Sequence, residues 1–393
     1  MTVLEVGVFI AAPYATMQLA DLGARVVKVE PRAGDPVRAT GPLIDGTSSP
    51  FVRLNRGKES VALDLKSPAG REAFLRLAAT ADVLVENLRP GAMRGLGLGP
   101  DEVRAVNPRL VYASASGWGQ DGPLADQPGL DIMAQARGGL MSITGTPGGD
   151  PVKVGVPICD LVCALYVALA VTAALQERER TGEGQTIDVS LYESAVSLAV
   201  WEAGRWFATG EVPGPLGSAH QNQAPYQAVR TADGHVTVGA ITPKTWAGLC
   251  AALGLEELVD DPRYADSFRR HQARDELVGR IEAVTTRLTT AEVVDRLVAA
   301  GVPCAPISDY GQVFTDDHLA ARDFFWDAPH PALGPVRQLG SPMRFSRTQG
   351  VRAGAGPLLG ADTRDALLGA GYTADEVEDL LASGAATTAE VGT

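Results

Sequence analysis

The sequence predicts an α/β fold: a doubly wound parallel sheet covered by helices on both faces, with a second, smaller α+β domain attached. Three observations carry this reading. Short, almost continuously apolar strands alternate with helical stretches of about ten residues through the first half of the chain. Gly, Pro and Ser punctuate the junctions. Beyond residue 220 the pattern changes to a hairpin signal followed by helices.

Taken in order, VLEVGVFI reads as a strand and Ala12 to Leu22 as a helix stopped by Gly23. RVVKVE is a second strand and VALDL a third, and Ser67-Pro68 opens a helix from Ala69 to Ala79. ADVLVENL is a fourth strand, followed by a helix near Gly99 to Val106 and the strand LVYASAS. This succession is Rossmann-like, with ligands expected at the carboxyl ends of the strands. The turn after the first strand, Ile10-Ala11-Ala12-Pro13, is no GxGxxG, so a dinucleotide held in the usual way is not expected. Residues Asp121 to Pro157, rich in Gly, Pro and Ser, read as a functional loop region.

The apolar run Leu161 to Leu175 spans fifteen residues, reads as a core helix and is too short to cross a bilayer. Immediately before it stands VGVPICD, so Asp160 lies where an extended segment becomes a helix. Unpaired N–H groups and the macrodipole at such a terminus favour an ionised carboxylate, which suits a nucleophile. The same placement suits a plain helix cap. After the strand TIDVSL, the stretch ESAVSLAVWEAGRWFATG is helical, and YQAVRTADGHVTVGA forms two strands joined through Asp233-Gly234. Helices follow at Pro243 to Leu253, Glu276 to Leu288 and Thr290 to Ala300, the last stopped by Gly301. A final helical ADEVEDLLASG precedes an end that is expected to fray after Gly384.

With 393 residues the chain has room for two domains, and its net charge of −13 argues against non-specific nucleic-acid binding. An anionic ligand would need a local basic patch. The four cysteines show no metal spacing, and together with the lack of a signal-like start they point to a reducing cytoplasm, without structural zinc or disulfides. Cys159, beside Asp160, reads as inert core rather than as a nucleophile.

Six ordered stretches carry a resemblance: AAPYATMQLADLGARVVKVEPRAGDPVR, LNRGKESVALDLKSPAGR, ADVLVENLRPGAMRGLGL, NPRLVYASASGWGQDGP, PGLDIMAQARGGLMSITG and the block from VPICD to GEGQTIDVSLYES. Together they resemble the class III coenzyme A transferases, the family of formyl-CoA and carnitine CoA-transferases and of α-methylacyl-CoA racemases. The resemblance implies that Asp160 is the catalytic carboxylate. It implies CoA contacts from Ile10, Ala11, Leu63, Lys66, Asn87, Leu88 and Ala92. Pro31 and Gly95 stand where the family often has Arg, so Arg32 and Arg94, one residue away, are taken in their place. An acyl pocket is expected from Leu130, Asp131, Gly138, Gly139 and His220, although a histidine in such a polar loop reads more readily as a surface residue.

The resemblance further implies acyl-CoA and a carboxylic acid as substrates, no permanently bound cofactor or metal, no membrane partner, and an interlocked homodimer. The expected domains are residues 1–200 for the first part of the large domain, 201–221 for a linker, 222–308 for the small domain, and 309–393 for a linker and the return to the large domain. The implied activity is transfer of CoA, with succinyl-CoA a plausible donor. An acyl-CoA racemase and a non-catalytic acyl-CoA binding protein are the alternatives.

Overall fold

The computed structural model describes residues 1–389. The chain forms two compact units, one of Met1–Met141, Lys153–Gly210 and Leu319–Thr393, the other of Ser142–Val152 and Glu211–His318.

The first unit begins with β1 (Thr2–Val6), α1 (Ala11–Asp21), β2 (Arg25–Glu30), β3 (Lys58–Leu63), α2 (Pro68–Ala79), β4 (Val83–Glu86), α3 (Pro100–Val106) and β5 (Val111–Ser116). It continues through α4 (Asp131–Arg137), α5 (Ile158–Thr181), β6 (Thr186–Ser190), α6 (Leu191–Ser197) and α7 (Val200–Thr209). The six strands pair in the order β3-β2-β1-β4-β5-β6, all parallel. This is the doubly wound order, whose direction of winding reverses between β1 and β4.

Side chains along the strands alternate between two cores. Leu4, Val27, Val29, Leu84 and Tyr112 pack beneath α2, α3 and two C-terminal helices, Thr363–Gly369 and Ala374–Ala382. Val3, Val26, Val83, Val85, Val111 and Ala113 face α1, α5 and α6. Two buried faces explain why the strands read as continuously apolar.

Three expectations need correction. The Asp121 to Pro157 region contains α4 and a single turn, Leu140–Ile143, because Ala134 and Leu140 have a core face to bury against. Helix α5 runs for 24 residues, and only 33% of its most apolar stretch is buried. Cys159, Cys163, Ala164, Val167, Val171 and Ala174 form its inner stripe, while Leu165 and Leu169 are exposed. By length and composition alone it would be apolar enough to cross a membrane, with mean hydropathy 2.3 over its best window. The inner stripe is instead fixed against the sheet. Lastly, the end does not fray directly after Gly384: Ala386–Thr387 pair antiparallel with Leu63 and Ala62. Ala385 and Ala386 are buried, so this short strand covers the outer edge of β3. The remainder of that expectation falls on residues 390–393, outside the described residues.

The second unit holds a three-stranded antiparallel sheet of β7 (Tyr226–Arg230), β8 (His235–Gly239) and β9 (Cys304–Pro306). Helices α8 (Pro243–Leu253), α9 (Arg274–Thr285) and α10 (Thr290–Ala299) pack on it through Trp246, Leu249, Leu277, Ile281, Val293 and Leu297. Thr242 and Thr289 close capping boxes at the starts of α8 and α10. The unit begins earlier and ends later than 222–308 and takes in Ser142–Val152.

Candidate active site

At the carboxyl ends of β1, β4 and β5, where the winding reverses, the first unit opens a cavity of about 830 Å³. Its wall comes from the loops after β1 (Val8 to Ala11), β4 (Asn87 to Pro90) and β5 (Ala115 to Gly117), with Gln127 to Ile132, Lys153, Asp160 and Leu191.

Asn87 joins two of these loops. Its Oδ1 accepts the Val8 N–H at 2.8 Å and its Nδ2 donates to the Val8 carbonyl at 2.8 Å. Gly7 is required there, since a Cβ would lie 2.7 Å from Cβ of Ala12. Phe9 next to it has a φ of 57°, a left-handed conformation held at the cavity wall.

Beneath this loop lies a buried ion network. Glu5 pairs with Lys28 and Lys58 at 2.7 Å each, and Lys28 also pairs with Asp35 at 2.9 Å. Lys28 donates to the Gly7 carbonyl at 2.7 Å and Lys58 to the Pro13 carbonyl at 2.8 Å. Burial disfavours the Glu5 charge, but the two lysines outweigh it and bring its pKa down to about 2. Lys58 is pushed by burial down to about 8, with only partial relief from Glu5. Glu86 is pushed by burial up to about 7 and accepts the Leu88 N–H at 2.8 Å, holding the turn after β4.

Asp160 is the third residue of α5. It does not cap the helix: the cap position is Pro157, whose ring carries no hydrogen-bond acceptor. The cap comes from Asp131, whose Oδ1 accepts the N–H of Cys159 at 2.8 Å and of Asp160 at 3.5 Å. The other Asp131 oxygen accepts from Nε2 of Gln135 at 2.6 Å. The terminus is therefore already satisfied by another carboxylate, and the expectation that it holds Asp160 ionised is corrected. Burial and then the neighbouring Asp131 charge push Asp160 up to about 7. Cys159 is fully buried and is pushed by burial up to about 12, which leaves its thiol inert.

Of the other residues singled out in the sequence, Ile10, Ala11, Asn87, Leu88, Leu130 and Asp131 line the cavity with Asp160. The rest do not. Leu63 is core, under the edge covered by Ala386–Thr387. Lys66 is exposed in the turn before α2, Arg32 lies beside Gly384, and Ala92 and Arg94 sit on the short helix Ala92–Gly95. Gly138 is the C-cap of α4 and lets it press against α6, since a Cβ there would lie 2.6 Å from Cβ of Ala195. Gly139 follows with a φ of 85°. His220 belongs to the second unit, against the Tyr226 ring. The cavity also contains two cations that the sequence reading passed over, Arg89 and Lys153. Arg89 stands within the ENLRPGA motif itself; Lys153 carries no local signal beyond its place before Asp160.

Fold and cavity define an α/β protein that presents a half-buried carboxylate, rather than a glycine-rich phosphate loop, at its switch point. Residues 1–363 match CoA-transferase family III, and the chain belongs to that family. It is 37% identical over 385 residues to succinyl-CoA:glutarate CoA-transferase of Mus musculus, covering 97% of this chain and 88% of that protein. It is 37% identical over 369 residues to succinyl-CoA:mesaconate CoA-transferase of Haloarcula hispanica, covering 91% and 92%. A crystal structure of a CAIB/BAIF family protein from Brucella suis superposes with a TM-score of 0.86 at 34% identity, covering 94% of this chain and 98% of that one.

Proposed function

We propose that this protein moves CoA from an acyl-CoA donor to a carboxylic acid, with Asp160 as the covalent carrier. The observation that carries the reading is the Asp160 carboxylate on the cavity wall, left free for chemistry because Asp131 caps its helix. The mouse and Haloarcula relatives are named for succinyl-CoA as donor and for glutarate or mesaconate as acceptor. Succinyl-CoA is accordingly the donor to try first.

In this mechanism the Asp160 carboxylate attacks the thioester carbonyl and expels CoA thiolate, leaving a mixed anhydride. The thiolate attacks the aspartyl carbonyl, releasing the donor acid and forming an aspartyl-CoA thioester. The acceptor carboxylate attacks that carbonyl and expels the thiolate again. Thiolate attack on the acceptor acyl carbon of the second anhydride then yields the new acyl-CoA and restores Asp160. No step consumes water, so the thioester energy is retained. Lys66, Arg32 and Arg94 each follow the carboxyl end of a parallel strand, along the same sheet edge as the cavity. That placement supports a role at the CoA phosphates.

Exchange of CoA between a panel of acyl-CoAs and free acids, followed by mass spectrometry, tests the reading. Hydroxylamine added during turnover should mark Asp160 as a hydroxamate in its peptide. Racemisation needs a second base across the α-carbon, and Leu130 on the cavity wall has no proton to give or take. A 2-methylacyl-CoA incubated in D₂O should take up no enzyme-dependent deuterium at C2; uptake at the turnover rate, lost with Asp160→Ala, would identify a racemase instead.

The same reading includes an interlocked homodimer. It is supported by the outward apolar residues Leu165 and Leu169 of α5 and Val200, Trp201 and Phe207 of α7. A cytoplasmic location is supported by cysteines that are all free.

A further inference from the structure

We infer that Lys153 holds the distal carboxylate of a dicarboxylic acyl group or acceptor, so that the cavity selects dicarboxylates over monocarboxylates; this rests on the transferase reading. The cavity wall brings together two carboxylates, Asp131 and Asp160, and two cations, Arg89 and Lys153. Arg89 follows β4 beside Asn87 and Leu88, on the side assigned to CoA. Lys153 lies on the approach to α5, in the segment that leads into Asp160.

The Lys153 ammonium donates to the Val154 carbonyl at 3.1 Å, and no carboxylate among the described residues pairs with it. With three protons, it has two left for a ligand. The backbone beside it is fixed. The Val154 N–H donates to Oε1 of the fully buried Gln135 at 2.8 Å. Gln135 Nε2 holds Asp131 at 2.6 Å, and Asp131 holds the first turn of α5 at Cys159. A continuous chain of hydrogen bonds thus ties the base of Lys153 to the turn that carries Asp160.

The carrier reaction uses one carboxylate of an acid. A second carboxylate entering with it meets the charges of Asp131 and Asp160, and an anion brought there without a cation is repelled. An unpaired ammonium anchored to the same frame supplies that cation. A monocarboxylic chain gains nothing from it.

Succinyl-CoA and butyryl-CoA share a four-carbon acyl chain and differ in the terminal carboxylate. Their binding to the full chain is measured by calorimetry, and each is assayed as donor, for the wild type, Lys153→Ala, Lys153→Gln and Lys153→Arg. The wild type should bind succinyl-CoA on the order of 10–100-fold more tightly. Lys153→Ala and Lys153→Gln should abolish the preference and leave butyryl-CoA within about twofold, while Lys153→Arg keeps most of it. A wild type without preference, or a preference that survives in Lys153→Ala or Lys153→Gln, overturns the inference. The binding arm reads discrimination even where no acid accepts CoA; that result would sink the transferase reading alone.

Discussion

At the scale of single residues, Asp160 sets reactivity against stability. Its pKa near 7 lies above that of an unfolded aspartate, so the folded state binds the extra proton between about pH 4 and 7 and this contribution to stability falls as pH rises through that window. The nucleophile is the ionised form, so kcat/KM should rise with pH through about 7 and then level off. Asp160→Asn should abolish transfer yet stabilise the fold at pH 8 by roughly 1–3 kcal/mol, and by much less at pH 5, where the wild-type side chain is already neutral. Thermal unfolding at both pH values checks this, and equal effects at the two would refute it. Asp131 allows the charge and the cap to be separated. Asp131→Asn keeps an oxygen for the Cys159 N–H and removes the charge; Asp131→Ala removes both. Each should move the pH–rate midpoint downward, and the Ala variant should lose about 0.5–2 kcal/mol more in urea unfolding. A midpoint that stays in place would deny Asp131 any electrostatic influence on Asp160.

At the scale of elements, loops at the carboxyl ends of strands build the site, and the three cations proposed for the CoA phosphates, Arg32, Lys66 and Arg94, lie beyond the cavity itself. Lys66→Ala should weaken CoA binding by about 1–3 kcal/mol with little change in the chemical step. An unchanged dissociation constant would leave Lys66 as a solvated surface charge. The strands and helices of the parallel sheet were legible in the sequence because each obeys a local rule: RVVKVE is buried on both faces, and Ser67-Pro68 caps α2 through the Gly70 N–H. Asp160 was legible as lying at the start of an apolar helix. Its true cap was not, because Asp131 reaches Cys159 from 28 positions away. Gly138 illustrates the same limit: it answers to the approach of Ala195, a contact that no local pattern encodes. The strand Ala386–Thr387 escaped for the same reason, since alanine and threonine become an edge only beside β3.

At the scale of the whole molecule, the exposed apolar faces of α5 and α7 lead to a prediction about assembly. Light scattering should return twice the chain mass, and an interlocked pair should keep that mass on dilution to nanomolar concentration without exchanging subunits with a labelled copy. A concentration-dependent monomer would exclude interlocking. The covering of β3 also has a bearing on how the chain is made. The N–H of Ser60 bonds to Asp362, 302 positions later, and the edge beside it is covered by residues later still. During synthesis the ribosome therefore exposes an open, valine-containing strand edge long before its cover is translated, and the whole inserted second unit emerges in the interval. For that period the nascent chain offers the edge to any neighbouring polypeptide.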